Sequence, residues 1–586
     1  MPQSLSPRSM LRRAVLPLSA VLCAQIAVIA QDGKDLAEVQ RLTAAAIAEW
    51  MDDFTRGRIG PRGALRTGAQ LQPRYMAHAR RAGHLQSNEL DRLNHLDALQ
   101  KLLFFAEKNP SRELAEAVLG VASAGLDRSF LDRDAFELRE LGHWTLMRME
   151  NQGVWFQLLR AAAGERLPVL AELRPKQKKE EDVSVGPARR VAALRLLGQR
   201  GLPVFRSTLE AALIDKDPRV RLAAAESIRA PWKAATVKRV GVAMQRERHP
   251  VVSQALVRLL FQMLKRPPKD LTPGDRESVV SGAFAQMGLA GWRTDMDLLD
   301  LVELYPHKSA IPKLIEALDL TIKSPDALVS AVNKQASPLL RQRAGQLLRA
   351  MTGALVPIED PDAWRQFWAK EQNNIVVPDQ LAKADPNATT VKFFGVPVTG
   401  TSIAFLIDTS GSMDSAPAGK GPVTGLRRTR VARTRLEAAK EQLVLAAQVM
   451  APESQYYLLT FADKAKTWTR QPIRPGRRST RSLTGLLSRL NARGGTNLYA
   501  GLIAALETEG RTYGDKALPK IDELFILSDG DPTAGEVRDT ETICELVRQA
   551  NRYAKIRINA VFTGTGKGAV LLKRLAEENG GVFVQR

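Results

Sequence analysis

Asp408, Ser410 and Ser412 lie within one pentapeptide, and Thr496 and Asp529 follow downstream; all five side chains suit a hard cation. The two carboxylates supply two negative charges, enough to neutralise a divalent ion. The three hydroxyls add neutral oxygens that can orient it. An all-oxygen set suits Mg²⁺ or Mn²⁺ rather than zinc, and Mg²⁺ takes near-octahedral geometry while keeping several waters. Five small side chains, some acting through water, leave at least one coordination position open. The alternative is purely local: serine and threonine also cap loops and helix starts. Capping alone gives no reason for both aspartates.

Three elements must position these groups. Asp408 closes the apolar run Ile403-Ala404-Phe405-Leu406-Ile407, and Asp529 follows Leu524-Phe525-Ile526-Leu527-Ser528. Short unbroken apolar runs read as parallel strands buried on both faces. In open α/β sheets the ligand site lies beyond the carboxyl ends of such strands. Thr496 stands in Gly494-Gly495-Thr496-Asn497, which opens a helical pattern from Leu498 to Leu506. The order D-x-S-x-S, loop threonine, then S-D-G resembles the metal-ion-dependent adhesion site of von Willebrand factor type A (VWA) domains. The resemblance covers residues 399–586. It implies that Ser410, Ser412 and Thr496 ligate the ion directly, that Asp408 and Asp529 act through water, and that a carboxylate of a partner protein takes the open position.

The remaining pattern of this region agrees with a doubly wound, mostly parallel sheet. Helices are expected over 436–450, 481–490, 540–551 and 569–579, and strands over 456–461, 556–562 and 582–584, with an edge strand over 466–470. Strands alternating with helices give that architecture. The last helix that the resemblance implies would be absent or supplied elsewhere, because the sequence stops at Arg586, so the resemblance carries no firm expectation of a switch built on its movement. The segment 414–435 carries Arg427, Arg428 and Arg430, followed by Arg433 and Arg435. By topology it overhangs the metal face, where basic groups would favour an acidic ligand and speed its approach. The competing reading is a solvated insertion whose last arginines start the next helix.

Residues 35–370 read as helical and rich in Ala, Leu and Arg. Helix starts at Pro187, Pro218 and Pro250 recur about every 31–32 residues, each followed by apolar residues at helical spacing. Partner helices begin near Leu167-Pro168, Leu202-Pro203 and Ile311-Pro312. A helix pair at this period resembles HEAT-type solenoid repeats, in which each pair buries its apolar face only by stacking on neighbours. The expected organisation is therefore multidomain: an export signal over 1–30, a helical region over 31–166, an all-α HEAT-like solenoid over 167–375, a proline-bearing linker over 376–398, and a Rossmann-like α/β VWA domain over 399–586. Trp364, Phe367 and Trp368 share one helix face and are expected to close the solenoid core. Phe393 and Phe394, at the end of the linker, are expected to dock on the domain that follows.

Arg8, Arg12 and Arg13 precede an uncharged, mostly apolar stretch, and small residues end at Ala30. This reads as a cleaved export signal, with a retained N-terminal anchor as the alternative. The stretch falls short of the ~20 apolar residues a span needs, and no other segment reads as membrane-spanning. A bacterial periplasm or cell surface is the expected location. Of Cys23 and Cys544, only the second survives signal removal, so no internal disulfide is expected. The chain of 586 residues carries a net charge of +22. That balance favours anionic partners, whether acidic proteins or anionic cell-surface polymers. Export and the lack of an RNA- or DNA-binding motif weigh against nucleic acid.

Catalytic chemistry finds little support. All six histidines lie at or before position 307, away from the metal candidates, which removes the usual general base. Gly564-Thr565-Gly566-Lys567-Gly568 lacks the early glycine and the final Ser/Thr of a phosphate loop and reads as a strand-to-helix turn. The expectation is an exported, non-enzymatic binding protein that uses Mg²⁺ or Mn²⁺ to capture an exposed carboxylate. Two alternatives remain: an accessory subunit of an ATPase or chelatase-type complex, and a scaffold with a vestigial metal site.

Overall fold

The computed structural model describes residues 36–55, 87–165, 185–319, 338–381, 392–416, 434–450 and 454–586, apart from positions 359, 399 and 567. The expected export signal, the Leu167-Pro168 helix start and Arg427, Arg428 and Arg430 lie outside the described residues. Among those described, no helix is long and apolar enough to cross a membrane. The chain forms two compact units, one ending at Arg229 and the other running from Ala230 to Arg586.

The first unit is helical: α1 Leu36–Thr55, α2 Ser87–Lys108, α3 Arg112–Ala122, α4 Arg133–Arg148, α5 Gln152–Ala163, α6 Pro187–Arg200, α7 Arg206–Ala211 and α8 Pro218–Ser227. Capping explains several starts. Ser111 accepts from the Leu114 amide at 3.2 Å, Asp132 from Ala135 at 3.1 Å, and Asp217 from Arg219 at 2.8 Å, with Pro218 at the first helical position. Such caps satisfy amides that the helix leaves open, and proline costs nothing there. Helix α6 packs on α5 and α8. Gly198 permits the closest part of that contact, since a Cβ would overlap Ser227.

In the second unit, helices α9 Ala234–Arg246, α10 Pro250–Lys265, α11 Pro273–Phe284, α12 Trp292–Leu304, α13 Ile311–Leu318, α14 Pro338–Thr352 and α15 Pro361–Glu371 precede the strands. Pro187, Pro218 and Pro250 thus head α6, α8 and α10. Trp364 on α15 is fully buried, meets Phe367 edge-on at 5.7 Å and donates its indole N–H to Pro357 O at 3.0 Å.

Among the described residues eight strands follow: β1 Lys392–Phe393, β2 Val396–Pro397, β3 Ser402–Asp408, β4 Gln455–Phe461, β5 Ala465–Thr467, β6 Glu523–Ser528, β7 Arg557–Phe562 and β8 Phe583–Gln585. The order of the six-stranded sheet is β5-β4-β3-β6-β7-β8, parallel except for β5. Helices α16 Arg435–Val449, α17 Arg477–Leu487, α18 Leu498–Ala505, α19 Thr540–Asn551 and α20 Gly568–Glu578 intervene. This is the all-α region followed by a doubly wound α/β domain that the sequence leads one to expect. β3 and β6 are buried nearly throughout, as central strands of a parallel sheet must be. Phe405 stacks on Phe525 at 5.5 Å. The small antiparallel hairpin β1–β2 packs here too, for Phe393 lies 5.1 Å from Phe405 and 5.5 Å from Phe525.

The amino ends of the strands are tied to the helices of the same unit. Arg293, near the start of α12, is buried and donates to Ala554 O, to Pro519 O at 3.0 Å and to Ile521 O at 2.9 Å. Burial pulls its guanidinium down to about 10, which leaves it charged at neutral pH. Asp297 on the same helix pairs with Lys555, and with Arg258 of α10 at 3.2 Å. The opposite, carboxyl edge of the sheet carries the candidate site.

Candidate metal centre

β3 pairs in parallel with β6, Ile407 opposite Leu527. This register brings Asp408 and the Ser528-Asp529 pair to one level at the edge. Asp408 is fully buried, and both its oxygens are engaged. Oδ1 accepts from the Ser410 amide at 2.7 Å and Oδ2 from the Ser528 hydroxyl at 2.5 Å. Burial pushes its carboxyl up to about 6; hydrogen bonds from Ser528 and Ser410 oppose the rise and the Asp529 charge adds to it. Asp408 therefore shapes the loop that follows it.

That loop turns through a 3₁₀ segment, Gly411–Asp414, and aligns its hydroxyls. Ser410 Oγ lies 3.1 Å from Ser412 Oγ, and Ser412 donates to Asp529 Oδ1 at 2.8 Å. Ser410 is buried and Ser412 exposed, so the oxygens form a short path from the sheet edge to solvent. Asp529 Oδ2 accepts from Arg435 Nη1, at the first turn of α16.

Backbone bonds hold the Thr496 loop in register with both neighbours. Arg493 N donates to Thr409 O at 2.8 Å and Gly411 N to Gly494 O at 3.0 Å. Thr496 N donates to Thr533 Oγ1 at 2.9 Å, and Thr533 N returns to Thr496 O at 3.0 Å. Thr496 Oγ1 stands 4.0 Å from where a Cβ on Gly530 would be. Asp463 accepts from Gly495 N at 2.8 Å, and its carboxylate fills the space a side chain at Gly494 would need. Gly494 has φ +82°, so both conformation and space call for glycine there.

Asp408, Ser410, Ser412 and Asp529 thus form one hydrogen-bonded chain, and Thr496 is stitched to it through the loops. Among the described residues, no group of three or more His, Cys, Asp or Glu is disposed to hold a metal. The set is instead two carboxylates with hydroxyls, which fits a hard divalent cation better than a softer one. Ser528, Thr533 and Asp463 were not singled out for the site from the sequence. Ser528 had a signal, its place before Asp529 in S-D-G. Arg435 was named among the basic residues of the segment expected to overhang the metal face, but not as the partner of Asp529. Thr533 and Asp463 act through pairings between distant loops, which spacing does not reveal.

Residues 403–530 match the family model of the von Willebrand factor type A domain. Inter alpha-trypsin inhibitor, heavy chain 4 of Mus musculus is 26% identical over 189 residues, covering 32% of this chain and 18% of that protein. Inter-alpha-trypsin inhibitor heavy chain H3 of Rattus norvegicus is 27% identical over 205 residues, covering 34% and 21%. The chain thus spans about a fifth of the length of these relatives. Among solved structures, a von Willebrand factor type A protein from Catenulispora acidiphila is 20% identical, covering 32% of this chain and 38% of its own, with a TM-score of 0.23. The PilB minor pilin from Streptococcus sanguinis is 17% identical, covering 33% and 59%, also with a TM-score of 0.23. With the sheet order and the family match together, the chain contains a VWA domain at residues 403–530.

Proposed function

We propose that this protein is a non-enzymatic adhesion or binding protein whose VWA domain captures an acidic group of a protein partner through a bound divalent cation. The observation that carries this is the continuous contact from Ser410 through Ser412 to Asp529 at the carboxyl edge of the sheet. Ser410, Ser412 and Thr496 would hold Mg²⁺ or Mn²⁺ directly. Asp408 would fix the loop and contribute charge, and Asp529 would contribute charge beside Ser412. The bound ion supplies a Lewis-acidic position for a carboxylate oxygen. The exposure of Ser412 gives a macromolecular ligand access to that end of the path.

The net charge of +22 favours an acidic protein, or an anionic surface polymer, as the partner. Arg427, Arg428 and Arg430 belong to this proposal only through their place in the sequence between Asp408 and α16. Export to a periplasm or cell surface rests on the N-terminal sequence, and assignment of the helical region to HEAT-like repeats rests on the recurring prolines that head α6, α8 and α10. The lack of histidine in the C-terminal domain favours binding over catalysis.

The test is partner capture by the immobilised full chain in Mg²⁺ and in excess chelator, with Asp408→Ala in parallel. Capture lost in chelator and in the variant supports the proposal. Capture that persists in both contradicts it.

A further inference from the structure

We infer that Arg435 sets the cation affinity of the carboxyl-edge site by holding one of the two oxygens of Asp529; this rests on the metal-binding function proposed above. The Asp529 side chain is wholly buried, and its oxygens are divided between two donors. Oδ1 accepts from Ser412, a member of the hydroxyl chain. Oδ2 accepts from Arg435 Nη1. A guanidinium and a divalent cation therefore draw on the same carboxylate, one on each oxygen.

The helix start does not by itself account for Arg435. It is the first residue of α16, where the helix dipole disfavours a cation. The helix start is already secured by a reciprocal box in which Thr434 accepts from Glu437 N and Glu437 accepts from Thr434 N. What offsets the unfavourable position is the pair with Asp529. The side chain is also anchored at its base, since Arg435 N donates to Ser415 O at 2.9 Å. That bond ties it to the loop that carries Ser410 and Ser412. The guanidinium itself is held by its pair with Asp529, and the side chain is largely buried. Its Nε is buried without a hydrogen-bond partner, so the head group's polar contacts concentrate on Asp529.

The electrostatic consequence has a definite sign. Asp408 and Asp529 together offer two negative charges, and Arg435 cancels one of them. An ion seated on the serine hydroxyls would stand within a few ångströms of the guanidinium, in a setting poorer in water than bulk. Repulsion at that range weakens cation binding by on the order of tenfold or more. Arg435 thereby keeps the site weak for the bare ion.

The experiment is calorimetric titration of Mn²⁺ into the full chain as wild type, Arg435→Gln, Arg435→Met, Arg435→Lys and Asp408→Ala, each first checked for cooperative unfolding. Either neutral variant that folds serves the test. Affinity about tenfold or more above wild type in a neutral variant, with Arg435→Lys close to wild type, supports the role assigned to Arg435. Binding that is abolished by Asp408→Ala but equal or weaker in the neutral variants overturns that role and leaves the metal site standing. Absence of saturable binding in wild type and neutral variants alike overturns the metal site and this inference with it.

Discussion

Ser528 donates to a buried oxygen of Asp408, so its hydroxyl decides whether that carboxylate is satisfied. Removing one partner of a buried pair leaves the other to bear its desolvation alone. Ser528→Ala is therefore expected to lower stability by about 1–3 kcal/mol and to weaken Mn²⁺ binding, measured by urea unfolding and calorimetry on the same samples. Unchanged unfolding would show that Asp408 finds another donor. Much of this cluster was legible beforehand, because polar residues ending an apolar run have few places to go but a strand edge. Asp408 and Asp529 stand at such ends, as their sequence context indicates. The pair between Arg435 and Asp529 was not legible, since it joins residues far apart in sequence and runs against the usual preference at a helix start.

Among the elements, strand and helix positions follow the apolar pattern closely, while the contacts between layers do not. The edge strand is Ala465–Thr467 rather than 466–470, and the helix expected over 481–490 begins at Arg477. The hairpin β1–β2 gives too short a signal to be read, although the docking of Phe393 was anticipated from its apolar character. Helix α12 carries the largest surprise. Its Arg293 satisfies three carbonyls at the amino end of the sheet, where a sequence reading finds only an arginine in an amphipathic helix. Arg293→Met keeps the stem but leaves those carbonyls unpaired and is expected to cost on the order of 3 kcal/mol, read by denaturant unfolding.

Asp295, two residues on, is fully buried; it accepts from Gly288 N at 2.9 Å through Oδ1, and its Oδ2 has no hydrogen-bond partner. Burial pushes its carboxyl up to about 7, against only a partial opposing effect of the Gly288 bond. A carboxyl whose folded pKa is raised binds its proton more tightly in the folded state. Its contribution is fully present below the unfolded carboxyl range and is lost as pH rises through about 7. Asp295→Asn should therefore gain stability relative to wild type between pH 5 and pH 8, by on the order of a few kcal/mol. Parallel pH profiles of the two proteins would expose a wrong sign.

For the whole molecule, the chain divides into two compact units, and the candidate site lies in the one spanning Ala230–Arg586. A ligand that binds the folded state raises its stability by mass action, by ~2.7 kcal/mol at a hundredfold excess over Kd. Mn²⁺ should therefore raise the melting temperature of one calorimetric transition and leave the other in place. A uniform shift of every transition, or none, would disagree with a single site in the second unit. The recurring prolines made the helix starts in both units legible, but not the division at Arg229–Ala230, which depends on which helices bury one another.

The most direct measurement is calorimetric titration of Mg²⁺ and Mn²⁺ into the full chain, with Asp408→Ala as the control. A divalent-cation site on the VWA domain predicts saturable binding of one ion per chain that Asp408→Ala abolishes. Binding of equal strength in the variant, or no saturable binding by either ion, would contradict it.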